Sequence, residues 1–178
     1  MQKETIILAN GCFWCTEAVF SQLKGVEKVT PGYIGGDVEN PTYEQVCTGT
    51  TNHAEALKIE FDADELSIEQ LMLVFYTSHD PTSLNRQGND IGTQYRSEIF
   101  YTNEEQKLQA EKLLDGLQKA GIFPSPIVTK ITQATVFYEA EDYHREYYEN
   151  NPEKAYCQAV IKPKLATLNE LFPDKLKK

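Results

Sequence analysis

No apolar stretch in the sequence is longer than residues 71–76. That is far short of the ~20 residues that cross a bilayer or the roughly 7–15 of a secretory h-region. With a polar opening of Met1-Gln2-Lys3-Glu4, the expectation is a cytoplasmic protein. Cations are also scarce: 17 Lys plus Arg stand against 27 Asp plus Glu, a formal net charge of −10 that repels phosphate backbones and anionic lipid surfaces. Nucleic acid and membrane are therefore not expected partners. There is no internal repeat, low-complexity tract or Gly/Ser linker, so the 178 residues are expected to form a single domain, 1–178, whose end from about 145 is an irregular tail carrying Cys157. A chain this long buries roughly 70% of its unfolded surface and needs neither disulfides nor a structural metal. Its four cysteines are thus free for chemistry, and at short spacing in a reducing compartment they read as catalytic or metal-binding.

What is present is alternating strand and helix. Residues 4–9 are an apolar, β-branched run stopped by Asn10-Gly11, and residues 13–23 carry apolar side chains at helical spacing before Gly25. A stretch rich in turn residues follows, from Tyr33 through Pro41 to Asn52, and is expected to be an ordered loop region. Residues 55–62 alternate strictly, which places Glu55 on the same face as Leu57, Ile59 and Phe61. Ser67 and Gln70 have capping-box spacing for a helix to about Ser78. The spacing further predicts a strand over 96–101, a helix over 103–120 capped by Thr102 with Glu105 and closed by Gly121, and β-structure within 127–138. The expected fold is α+β, a two-layer α/β sandwich in which helices cover a ferredoxin-like mixed sheet.

Gly11-Cys12-Phe13-Trp14-Cys15 falls where the first strand hands over to the first helix. A cysteine at a helix N-terminus has its thiolate stabilised by unpaired N–H groups, so Cys12 is the candidate nucleophile and a low pKa is expected for it. Phe13 and Trp14 beside it suggest the wall of a pocket for an apolar or thioether group. Cys15, one turn on, lies within reach of a bridge to Cys12.

These residues, with Asn52-His53-Ala54-Glu55, Pro41-Thr42-Tyr43, Gly92-Thr93-Gln94-Tyr95-Arg96-Ser97 and Tyr156-Cys157, resemble peptide methionine sulfoxide reductase type A, over nearly the whole chain and in the same order. Asn52 departs from the glycine usual before His-Ala-Glu. The resemblance implies reduction of the S epimer of methionine sulfoxide, free or in proteins, through a cysteine sulfenic acid and then a disulfide, by a monomer without metal or other cofactor. Cys12 would be the nucleophile, Glu55 the acid that protonates the sulfoxide oxygen, and Tyr43 and Tyr95 the phenols hydrogen-bonding that oxygen. Asp90 would contact substrate or a bridging water, and Phe13 with Trp14 would cup the S-methyl group. The physics agrees for Glu55, since a carboxyl desolvated among apolar neighbours stays protonated at neutral pH. Two cysteines compete to resolve the sulfenic acid: Cys15, close in sequence, and Cys157, which needs a mobile tail. Thioredoxin is the implied reductant, with dithiothreitol as its substitute in vitro. His53 reads as a structural hydrogen-bonding residue and Cys47 as a packed free thiol.

Three other readings use the same residues. A thioredoxin-like dithiol-disulfide oxidoreductase shares the Cys-x-x-Cys at a strand-to-helix junction, but Phe13 and Trp14 lie between the cysteines where a proline is usual. A zinc module could use Cys12, Cys15, Cys47 and His53, yet has no second tight pair. A silent binding domain for methionine sulfoxide would not need Cys12 and Glu55.

Overall fold

The apolar run after Lys3 forms the strand the sequence predicts, β1 (Lys3–Asn10), at the middle of a six-stranded sheet. The structure is a computed structural model and describes residues 2–177. After β1 come α1 (Phe13–Phe20), β2 (Val26–Ile34), α2 (Tyr43–Cys47), β3 (Ala54–Asp62) and α3 (Ile68–Thr77). Short strands β4 (Arg86–Gln87) and β5 (Asp90–Ile91) pair with each other, and then follow β6 (Ser97–Tyr101), α4 (Glu104–Ala120), β7 (Lys130–Gln133) and β8 (Tyr138–Glu139). The chain ends through α5 (Tyr147–Asn150), a π-helical turn (Cys157–Ile161) and α6 (Lys162–Leu171).

The sheet order is β7-β6-β1-β3-β2-β8, with β6 and β7 parallel and the other neighbours antiparallel. Its inner four strands, joined as β-α-β-β-α-β through α1 and α3, have the expected ferredoxin-like arrangement. Because α1 begins where β1 ends, Cys12 sits at the carboxyl edge of the sheet. The antiparallel register pairs Leu8 with Leu57, and continuing it by two residues brings Asn10 against Glu55. Register alone thus delivers the acid of β3 to the start of α1.

One sheet face packs Ile6, Leu8, Leu57, Ile59 and Phe61 against Val19, Phe20, Leu71 and Phe75 of the helices. The other packs Ile7, Ala9, Ile34, Ala54, Ala56 and Phe100 under Phe137. A side chain at Gly32 would run into the Phe137 ring and the Tyr138 carbonyl, so glycine is required by this close approach. Helix α3 carries the capping box expected of Ser67 and Gln70. Helix α4 starts one residue later than expected, because Asn103 accepts the Gln106 N–H and takes the capping position; Gly121 closes it at φ 62° as expected.

Three segments differ from the sequence reading. Within the expected loop region, Tyr43–Cys47 form α2, because Thr42 and Gln45 make a capping box. Residues 26–34, with Tyr33 placed in a loop, form β2; Pro31 and Gly32 look like turn punctuation but are tolerated beside a two-residue edge strand, where the Pro31 carbonyl accepts the Ala140 N–H at 2.9 Å. The C-terminal stretch carries more helix than an irregular tail: it runs in short turns to Tyr156 and is then helical through Leu171, pinned because Cys157 and Ile161 bury against α1.

Candidate active site

Cys12 occupies the position before α1 in extended conformation, and its carbonyl accepts the Cys15 N–H at 3.0 Å, opening the helix. The next amide, Phe13 N–H, donates to Glu55 Oε1 at 3.1 Å. Glu55 is 1% exposed, and Oε2 has no hydrogen-bond partner among the described residues. Burial pushes its pKa up to about 8 against the pull of the Phe13 amide, with the Asp90 charge adding to the rise. The carboxyl therefore holds its proton at neutral pH, as expected of an acid on the apolar face.

The low pKa expected for Cys12 is not found. Burial, the neighbouring Cys15 thiol and the nearby Glu55 carboxyl push it well above the ordinary thiol value, and the Trp14 N–H only partly offsets them. Helix α1 contributes less than anticipated because the Phe13 amide serves Glu55. Cys15 shifts the other way, its pKa lowered by the neighbouring Cys12 thiol against the cost of burial, with help from Tyr156 and Lys164. The two thiols titrate as one pair.

Tyr43, on the first turn of α2, and Tyr95, on the 3₁₀ turn before β6, are half-buried, and their hydroxyls are held protonated by burial and then by the Glu55 charge. Tyr43 is positioned by its own amide, which donates to Glu141 Oε2 at 2.8 Å, while Glu141 Oε1 accepts the Tyr33 hydroxyl at 2.8 Å. Phe13 is fully buried behind Tyr33 and Tyr43. Trp14 is half-buried, stacks on Tyr147 with ring centroids 3.8 Å apart, and donates its indole N–H to His144 Nδ1 at 2.9 Å. Asp90 accepts the Tyr156 hydroxyl at 2.7 Å, and the same hydroxyl lies 3.4 Å from Cys15 Sγ. Cys157 is fully buried in one apolar cluster with Cys12 and Cys15, so that thiol is already carried to the site.

His53 uses both ring nitrogens structurally: Nδ1 accepts the Gly36 N–H at 3.1 Å and Nε2 donates to the Val38 carbonyl at 2.7 Å. Cys47 is exposed rather than packed. Cys12, Cys15, Cys47 and His53 thus do not converge, and no group of three His, Cys, Asp or Glu among the described residues is placed to hold a metal ion. Asn52 takes φ 62°, a left-handed conformation that glycine adopts freely and asparagine tolerates.

Comparison with known proteins agrees with this geometry. The family model of peptide methionine sulfoxide reductase matches residues 4–176. The chain belongs to that family. A Deinococcus radiodurans peptide methionine sulfoxide reductase MsrA is 53% identical over 98% of this chain and 85% of its own. One from Acinetobacter baumannii (strain AYE) is 54% identical over 96% and 97%. Among solved structures, reduced Mxr1 from Saccharomyces cerevisiae superposes with a TM-score of 0.82 at 32% identity, covering 88% of this chain and 90% of that one. Mxr1 has also been solved in complex with Trx2; that likeness, with a TM-score of 0.58 at 21% identity over 82% and 85% of the two chains, is one of fold.

The chain is an oxidoreductase, a peptide methionine sulfoxide reductase of the MsrA type. No helix among the described residues is long and apolar enough to cross a membrane. Sequence reasoning about this reductase missed Tyr156, His144, Glu141 and Tyr147 as parts of the site. Their signals were the Tyr156-Cys157 motif and the density of tyrosines after Tyr138, neither of which says where the segment docks.

Proposed function

We propose that the enzyme reduces the S epimer of methionine sulfoxide, free or in proteins, at Cys12, with Glu55 as the acid. The observation that carries this reading is the protonated, buried Glu55 carboxyl, whose Oε2 lacks a partner beside the Cys12 turn. A buried polar atom without a partner costs free energy, and a sulfoxide oxygen is the acceptor it lacks.

The Cys12 proton passes to Cys15, and the Cys12 sulfur takes the sulfoxide oxygen as Glu55 protonates it. Thioether leaves, Cys12 becomes a sulfenic acid and Glu55 a carboxylate. Tyr43 and Tyr95 donate hydrogen bonds to the oxygen as charge gathers there. Trp14, fixed by His144 and Tyr147, walls the S-methyl group, with Phe13 packed behind and Asp90 at the rim. Cys15 then attacks the sulfenic sulfur; the S–S bond forms, the S–O bond breaks, and oxygen leaves as water with the Cys15 proton. Cys15 is favoured over Cys157 because it lies one helical turn from Cys12, with its N–H on the Cys12 carbonyl at 3.0 Å. Thioredoxin, or dithiothreitol in vitro, reduces the disulfide.

The test supplies separated S and R epimers of a blocked methionine sulfoxide with dithiothreitol and counts the thioether from each. Product from the S epimer alone, abolished in Cys12→Ser, is expected. Product from neither epimer would overturn the reading.

A further inference from the structure

Beside the cysteine turn lies a cavity of about 370 Å³. Cys12 and Cys15 form one wall, the β4–β5 turn with Asp90 another, and Tyr156, Val160 and Lys164 of the C-terminal segment the third. Lys164 reaches in from the first turns of α6. Its ammonium donates to the Ser78 carbonyl at the C-terminus of α3, 2.8 Å away, where unpaired carbonyls attract a cation. Lys164 forms no ion pair with a carboxylate among the described residues, so its charge is not spent on one.

Opposite it, the Tyr156 hydroxyl has one proton and two claimants, Asp90 Oδ2 at 2.7 Å and Cys15 Sγ at 3.4 Å. The shorter contact, to a carboxylate, holds that proton. The titratable groups around Cys15 are therefore Cys12, Cys157, Asp90 and Glu55, each neutral or negative, the Tyr147 and Tyr156 phenols, and, among the described residues, one cation, Lys164. His79, the other basic group near Lys164, is half-buried and neutral, its pKa driven down to about 3 by desolvation.

We infer that Lys164 is a positioning residue of the reductase, holding the negative charge of the Cys12–Cys15 pair on Cys15 across this cavity. It acts through Cys15 and touches no substrate. A charged Cys15 is the base ready to take the Cys12 proton, so Lys164 sets the lowest pH at which the pair can begin turnover. The bland alternative is that Lys164 only caps α3. The inference rests on the proposed role of the cysteine pair and extends it.

The test maps iodoacetamide alkylation of Cys15 by mass spectrometry across pH in the reduced full-length protein, which needs no turnover. Lys164→Met is expected to move the Cys15 midpoint up by about one pH unit, roughly a tenfold loss of thiolate at a given pH, and Lys164→Arg to restore it. Asp90→Asn, which removes the opposing carboxylate, should move the midpoint down. In parallel, methionine formed in a single turnover is followed against pH, and its acid limb should shift with the alkylation midpoint. An unmoved midpoint in Lys164→Met, or a shift that Lys164→Arg does not reverse, overturns the inference. Absence of any single-turnover product from the wild-type protein instead overturns the proposed function, while the alkylation profile still judges Lys164.

Discussion

The Phe13 amide and the Glu55 carboxyl meet at 3.1 Å through Oε1 alone, and Oε2 of the same carboxyl is left without a partner. The amide belongs to the first turn of α1, immediately after Cys12, so in the proposed mechanism one helix N-terminus would orient the acid while its neighbouring residue would supply the sulfur. The cost is a Cys12 thiol that burial holds protonated. Reactivity therefore depends on where the proton of the cysteine pair sits, and on an acid that is ready before substrate arrives.

Glu55→Gln should slow the first turnover by about 10²–10⁴-fold, the range typical of a general acid, with dithiothreitol-supported activity falling equally. A fully active Glu55→Gln enzyme removes the acid role. Relative to wild type, the same variant should gain stability as pH rises. The folded carboxyl holds its proton to about pH 8 while the unfolded one loses it near 4.5, so the wild-type protein is destabilised as pH rises through that window. Unfolding in urea at pH 5 and pH 8 should show the variant's advantage growing by up to about 1.4 kcal/mol per pH unit.

Above about pH 8 the wild-type first turnover should fall, as Glu55 loses the proton it donates. Rapid-quench measurement of methionine formed between pH 6 and pH 10 gives the limb directly, and a rate that keeps rising to pH 10 contradicts Glu55 as donor.

Cys15→Ser and Cys157→Ser should separate when assayed with two reductants. Cys15→Ser is expected to form about one methionine per enzyme, to keep turning over with dithiothreitol and to lose thioredoxin-supported turnover. Cys157→Ser is expected to keep both. The reverse pattern moves the resolving role to Cys157, which lies in the same buried cluster.

Tyr147→Ala should raise KM more than it lowers kcat, because it removes the ring stacked on Trp14 and leaves the indole wall without support. Steady-state rates over a range of sulfoxide concentration separate the two parameters, and an unchanged KM excludes Tyr147 from shaping the binding wall.

Asn52→Gly should fold with stability close to wild type, whereas Asn52→Val should lose about 1–3 kcal/mol, since a β-branched side chain is strained at φ 62°. Thermal unfolding of both variants checks this, and a valine variant as stable as wild type contradicts the left-handed conformation.

Periodicity and turn chemistry in the chain alone determined the strand, turn and helix around Cys12, the apolar face that carries Glu55, the Ser67 and Gln70 cap, and the motifs by which the family is read. These are local properties, set within one or two turns of chain. The path of β2 was hidden because Pro31 and Gly32 carry turn chemistry that a nearby edge strand makes harmless. The docking of Tyr147 on Trp14, of Tyr156 between Asp90 and Cys15, and of Lys164 over the cysteine cavity was decided only by tertiary structure, because each joins residues more than 60 apart in sequence. The charge on Cys12 was misjudged for the same reason. A helix N-terminus is visible in sequence, but the desolvation that outweighs it exists only once the C-terminal segment has folded over the thiol.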